Sequence, residues 1–322
     1  MLKYLYAFLL LPFFLACTPE GEVLVEQEIE KAKLSLTTKN CASAITILTN
    51  LGNQPENPKY LAALASAYAC RAGFDERVLF LNDIALLDAS SNDTVIGSIT
   101  LFSTSPETIA DSATYTDLQL GINTLLYAGG VTEPSSAARE LIFGTKHNND
   151  LNLQALYMLL AQVGKYFYLY GDADGTGLKG GGAGNNCLYS YTDPIAQLAI
   201  DSVAGDSCDS SETGHPDLNA APGDADSLRR VCEGYVLLTN LLDVMENTTF
   251  PAATDLGDIN TSLVGVVNQL KNTPGQYCQD PALPAGICDE RSQSDCETFY
   301  AVPANFDLMQ RFFAAVLETI FI

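Results

Sequence analysis

Apolar residues return every three or four positions along most of this chain, the period of a helix that buries one face. Val23, Val25, Ile29, Ala32 and Leu34 mark a first amphipathic helix; Ala44, Ile45, Ile47, Leu48 and Leu51 mark a second, closed by Gly52 and Pro55. Leu61, Leu64, Ala65 and Tyr68 mark a third, which stops at Gly73. Farther on the pattern is helical but irregular, and predicts helices over 106–127, 134–143, 150–170, 194–203, 227–245, 260–270 and 306–320. Ser105-Pro106-Glu107 and Asp193-Pro194 each offer a capping side chain before a proline, whose missing N–H is no loss in a helix's first turn. Strands have little support, since no long alternation is bounded by hairpin turns. The predicted fold is all-α, an array of antiparallel helical hairpins.

Two stretches break that pattern. Residues 171–186 hold seven glycines, and residues 201–226 hold seven acidic residues with few apolar ones. Together they predict a long Gly/Asp-rich loop over 171–226, the most mobile part of the chain, because an insertion of this size is usually functional or poorly ordered. A second cysteine-bearing segment, 273–298, precedes the last helix.

The N-terminus has a different character. Lys3 is followed by an apolar run over 5–14, then by Leu15-Ala16-Cys17-Thr18-Pro19-Glu20. A spanning helix needs about 20 apolar residues, and this run is broken at Pro12 and ends in an abrupt polar switch. The segment resembles the processing site of bacterial lipoproteins. The resemblance implies a signal peptide over 1–16, a lipidated Cys17 carrying palmitate-type chains, and a tether over 17–22. It places the chain in the cell envelope, anchored by lipid to the outer membrane and facing periplasm or exterior. The alternative is an ordinary secretory signal with an incidental cysteine.

The helices over 23–88 resemble the tetratricopeptide repeat. Ala44 stands at that family's small packing position, Leu61, Leu64, Ala65 and Tyr68 follow its large, leucine, small, tyrosine spacing, and Ala72-Gly73-Phe74 matches its inter-helix turn. The likeness covers about one and a half repeats of roughly 34 residues, and leaves 89–322 as an irregular all-α region. A generic antiparallel hairpin is the alternative.

Charge narrows the partners. With 39 acidic against 16 basic residues, a net charge of −23 argues against nucleic acid, whose phosphates are bound by Lys and Arg. Anionic lipid would not attract this surface either, so acyl chains must do the anchoring. Beyond Cys17 there are eight cysteines, an even number that in an exported chain reads as a disulfide framework. Proximity in sequence pairs Cys41 with Cys70, Cys187 with Cys208 and Cys288 with Cys296, which leaves Cys232 with Cys278. A cysteine metal site has little support, with no C-x2-C and only two histidines.

Candidate chemistry is sparse. Residues 175–180 match G-x-G-x-x-G, but they follow a helix where a dinucleotide site needs a strand. Asp172, Asp174 and Thr176 alternate in one turn, so their oxygens are candidates for weak calcium binding; Gly177 suits an EF-hand loop, but Ala183 stands where its bidentate glutamate belongs. Otherwise the turn is simply solvated. Asp224 reads as a helix cap, and His147 and His215 as loop histidines without a nucleophile motif. Tyr157, Tyr166, Phe167, Tyr168 and Tyr170 read as a core stripe or as the lining of a pocket. The leading expectation is a membrane-anchored, non-catalytic protein-binding or scaffold module. The second is a small-molecule-binding accessory protein of a periplasmic solute transporter, and an enzyme is third because no site motif stands out.

Overall fold

The structure, a computed structural model, describes residues 21–86, 95–181, 185–202, 207–249, 271–272, 277–281 and 283–321. Cys17, the signal peptide, most of the tether, the boundary near 88 and the helix expected over 260–270 lie outside the described residues. Among those described there are twelve α-helices and no strand. They are α1 (Glu22–Thr37), α2 (Cys41–Asn50), α3 (Pro58–Arg71), α4 (Glu76–Val78), α5 (Val95–Thr100), α6 (Ala113–Leu126), α7 (Ser136–Tyr170), α8 (Pro194–Asp201), α9 (Pro216–Asn219), α10 (Ala225–Glu246), α11 (Gln293–Tyr300) and α12 (Pro303–Phe312). None is long and apolar enough to cross a membrane.

The first three helices form where the apolar period puts them, as packed hairpins. Asn40 caps α2 by accepting from Ser43 N, and Asn57 caps α3 by accepting from Lys59 N and Tyr60 N, with Pro58 in the first turn. Ala44 and Ala65 are fully buried, so their small side chains let neighbouring helices approach closely.

The centre of the molecule is α7. At Gly144 its backbone takes φ 69° and ψ 164°, a conformation that favours glycine, so the two helices expected over 134–143 and 150–170 are the arms of one broken element. The second arm is buried nearly all round, which is why it is apolar on every side. Helices α3, α5, α6 and α10 pack on it. At Gly164 an added Cβ would lie 2.4 Å from Ile99 O, so the absent side chain is what lets α5 come in. The break is held by a buried network. Arg139 donates to Leu126 O, Pro134 O and Asn152 Oδ1, and Asn152 donates to Ser136 Oγ. Ser136 N in turn donates to Asp243 of α10.

Three expectations are corrected. The helix expected from 106 begins at Ala113, capped by Ser112, which accepts from Tyr115 N at 3.1 Å. Ser105 Oγ instead donates to Ile99 O at 2.7 Å, and Glu107 is buried beside Lys165 Nζ at 3.4 Å, so tertiary bonds hold this stretch out of the helix.

The segment 171–226 is not a solvated loop. Besides α8, which answers to the helix expected over 194–203 and is capped by Asp193, it contains α9, capped by His215, and buries Lys179, Leu188, Tyr189 and Tyr191. Residues 182–184 and 203–206 within it lie outside the described residues.

Among the disulfides, Cys41–Cys70 and Cys187–Cys208 are as expected, but Cys232 pairs with Cys296 and Cys278 with Cys288. Packing of α11 on α10 brings Cys232 and Cys296 to a Cα separation of 5.8 Å across 64 residues; proximity in sequence carries no information about that contact. Four disulfides fit an oxidising, extracytoplasmic compartment.

Candidate functional site

The residues singled out for calcium serve the fold of their own turn. Asp174 Oδ1 accepts from Thr176 N, Thr176 Oγ1 and Leu178 N at 2.7, 2.6 and 3.2 Å. The Thr176 hydroxyl, helped by those backbone N–H groups, holds the Asp174 carboxyl below its usual range. Asp172, at φ 49°, accepts from Asn185 N at 3.4 Å. Among the described residues the grouping with metal-ligand geometry is Cys187, Cys208 and Glu318, and its two sulfurs are joined to each other. Lys179, in the glycine run, is buried against Glu318. His215 accepts from Asp217 N at the head of α9, and burial lowers its pKa; His147 is exposed beside Asp150. Tyr157, Tyr166, Phe167 and Tyr170 belong to the core.

The site that stands out lies elsewhere. Helices α6 and α10 both rest on α7, and between them opens a groove of about 340 Å³ with Leu159 of α7 among its lining residues. Asp111, ahead of α6, bonds Arg229 and Arg230 in the first turns of α10. At the far end Asn240 of α10 donates to Arg291 O, and Tyr127, closing α6, borders Ser292 and Gln293. The two helices therefore run in the same direction along the groove. Tyr115 and Gln119 line it from α6, and Glu233 and Asn240 from α10.

What marks this groove is unfinished hydrogen bonding. Tyr115 Oη, Gln119 Oε1, Glu233 Oε2, Asn240 Oδ1 and Arg291 Nε are all buried without a hydrogen-bond partner. Tyr115, Glu233 and Asn240 are only 3, 8 and 3% exposed. Each such group ordinarily costs about 1–3 kcal/mol of desolvation, so five converging on one cavity call for an explanation. No family model, curated protein or solved structure matches the chain. The groove must therefore be read from its own chemistry.

Burial pushes the Glu233 carboxyl up to about 7, against the opposing pull of Arg229. The Tyr115 hydroxyl is close enough to favour the ionised carboxylate, yet neither atom completes a bond of ordinary geometry. Burial raises Tyr115 itself well above the usual phenol range. Arg229 and Arg230 overcome burial and hold Asp111 low. The groove thus holds a fixed anion at its mouth and a carboxyl that titrates near neutrality inside.

Motif reasoning passed over these residues because they form no motif. A signal was nonetheless present: α10 is a buried, apolar helix, and Arg229, Glu233 and Asn240 recur along it at spacings of four and seven. Polar residues at helical period within a buried helix mark a wet stripe.

Proposed function

We propose that this chain is a lipid-anchored extracytoplasmic binding protein that takes a small polar solute into the groove between α6 and α10. The observation that carries the reading is the set of five buried polar atoms around one cavity that complete no hydrogen bond, two of them, on Glu233 and Arg291, having only long ion-pair contacts. The volume suits a small ligand, and a ligand bearing hydrogen-bonding groups would complete bonds that the protein leaves open. The aromatic stripe of Tyr157, Tyr166, Phe167 and Tyr170 is core and supplies no pocket lining, so the binding reading rests on the groove between α6 and α10 alone. On the present reading the tetratricopeptide-like hairpins α1 to α3 are the platform against which α6 packs. The lipobox-like sequence ending at Cys17 supplies the outer-membrane anchor, and no catalysis is required of the protein.

A thermal-shift screen of polar metabolites tests this, run in parallel on the wild type and on Thr116→Trp. Thr116 is an exposed residue lining the groove, so the larger side chain fills the cavity without disturbing the core. Solutes that raise the Tm of the wild type and leave Thr116→Trp unchanged support the reading. If every stabilising solute acts equally on both proteins, the reading fails.

A further inference from the structure

We propose that the occupant of the groove is a small organic cation bearing primary ammonium groups, held by Glu233 and Tyr115 towards one end and by Gln119 and Asn240 towards the other. The inference rests on the groove being a ligand site.

The unpartnered atoms are mostly acceptors. Asn240 Nδ2 donates to Val236 O at 2.8 Å and to Arg291 O at 3.0 Å. Those two carbonyls fix the amide's orientation, since reversing it would set oxygen against oxygen, and so Oδ1 is left as a vacant acceptor. Gln119 and Asn123 join amide to amide at 3.0 Å, a bond that either orientation of the pair satisfies, so Gln119 offers the groove an acceptor or a donor. Glu233 Oε2 is a second fixed acceptor, and Tyr115 Oη serves in either sense. The one vacant donor, Arg291 Nε, already lies 3.5 Å from Asp243. A ligand that satisfies this lining must bring N–H or O–H groups.

Charge separates a cation from a neutral donor. Each guanidinium at the groove is already faced by carboxylates. Arg229 meets Asp111, Asp226 and Glu233, Arg230 meets Asp111 and Asp217, and Arg291 meets Glu133, Asp243 and Asp289. Anionic groups outnumber the arginines they surround, in a chain of net charge −23. An anionic ligand would have to displace an internal partner from an arginine and would then meet Glu233. An ammonium adds a positive charge in hydrogen-bonding reach of a buried carboxyl that Arg229 approaches only to 3.9 Å.

Spacing suggests an elongated molecule. Tyr115 and Gln119 are one helical turn apart and Glu233 and Asn240 two, about 6 Å and about 10 Å along their axes. A four-carbon diammonium spans about the shorter of these distances.

Proton and cation then compete for Glu233. The groups facing it are Arg229 and Arg230 of α10, Asp111 ahead of α6, Tyr115 of α6, and Tyr166 and Tyr170 of α7. The tyrosines stay neutral in this range and Asp111 stays ionised, so Glu233 is the group among these whose state changes near pH 7.

Isothermal titration calorimetry on the full chain, with butane-1,4-diammonium and the neutral butane-1,4-diol as probes, decides the matter. At pH 8 the diammonium is expected to bind about tenfold more tightly than the diol, the difference a charge-assisted bond makes. Its affinity is expected to fall about tenfold at pH 6, following the ionised fraction of Glu233. Glu233→Gln should lose about tenfold at pH 8 and lose the pH dependence, while Thr116→Trp should abolish binding. If the diol binds as tightly as the diammonium and Thr116→Trp blocks it, the cation inference falls and the binding reading stands. If neither probe binds in a Thr116→Trp-sensitive way, the cation inference falls, and the thermal-shift screen shows whether the binding reading falls with it.

Discussion

Lys179 and Glu318 form an ion pair at 2.7 Å, with side chains only 2 and 0% exposed. Glu318 Oε1 also accepts from Leu188 N at 2.6 Å and from the Tyr191 hydroxyl at 2.8 Å. One carboxylate from the helical turn after α12 thus ties down the glycine-rich stretch, the bend past Cys187, and the Tyr191 ring that follows. The lysine of the G-x-G-x-x-G run is accounted for by this contact.

Removing one partner of a buried ion pair leaves the other uncompensated, typically at a cost of about 3–5 kcal/mol. Lys179→Met is accordingly expected to destabilise the folded chain by about that amount in urea denaturation. A loss below about 1 kcal/mol would mean that Glu318 is satisfied without the lysine.

Arg139 is another buried cation, and burial lowers its pKa to about 10 while Asp243 opposes the shift. Because its guanidinium bridges the two arms of α7 through Asn152, Arg139→Met should destabilise by about 3 kcal/mol. Hydrogen exchange is expected to show the loss concentrated around the Gly144 break. Uniform deprotection of the whole molecule would contradict the local role given to the network.

Non-reducing peptide mapping should recover Cys232 linked to Cys296 and Cys278 linked to Cys288. In the chain-entropy argument the 64-residue separation stabilises by about 4 kcal/mol and the 10-residue one by about 3 kcal/mol. Replacing Cys232 and Cys296 together by alanine should therefore lower stability more than replacing Cys278 and Cys288. The reverse order, or peptides joining Cys288 to Cys296, would contradict the arrangement of α10 and α11.

Glu233 makes stability depend on pH in an unusual sense. Its carboxyl rises from 4.5 to about 7 on folding, so between these values the folded chain holds a proton that the unfolded chain has released. Stability is therefore full below pH 4.5 and falls as pH rises to 7, by about 3 kcal/mol. Glu233→Gln, which never ionises, should match the wild type near pH 4 and exceed it by about 3 kcal/mol at pH 8. Equal stability of the two proteins at pH 8 would show that the carboxylate is well solvated or paired.

How far the sequence could be read depended on whether the deciding contact was local. The helices α1, α2 and α3 were legible because an apolar period and the caps Asn40 and Asn57 are local signals, and Asp193-Pro194 opened α8 for the same reason. Ser105-Pro106 carried an equally good local signal and failed, because Ser105 spends its hydroxyl on Ile99 O. The pairing of Cys232 with Cys296 and the burial of Lys179 on Glu318 join residues 64 and 139 apart, beyond any spacing rule. The groove was the least legible feature. It exists because two helices rest on a third and leave Tyr115, Gln119, Glu233 and Asn240 facing a common space, while the positions that carried motif-like patterns, Asp172, Asp174 and Thr176, close a turn.

The most direct test of the account is the ionisation of Glu233 itself, followed by the carboxyl carbon resonance of the full chain labelled at glutamate and assigned with Glu233→Gln. A midpoint near pH 7 is predicted, displaced downwards when butane-1,4-diammonium is added. A midpoint near 4.5 in the free protein, unchanged by the diammonium, would mean that the groove holds no buried, unsatisfied carboxyl, and would contradict the account of it as a binding site.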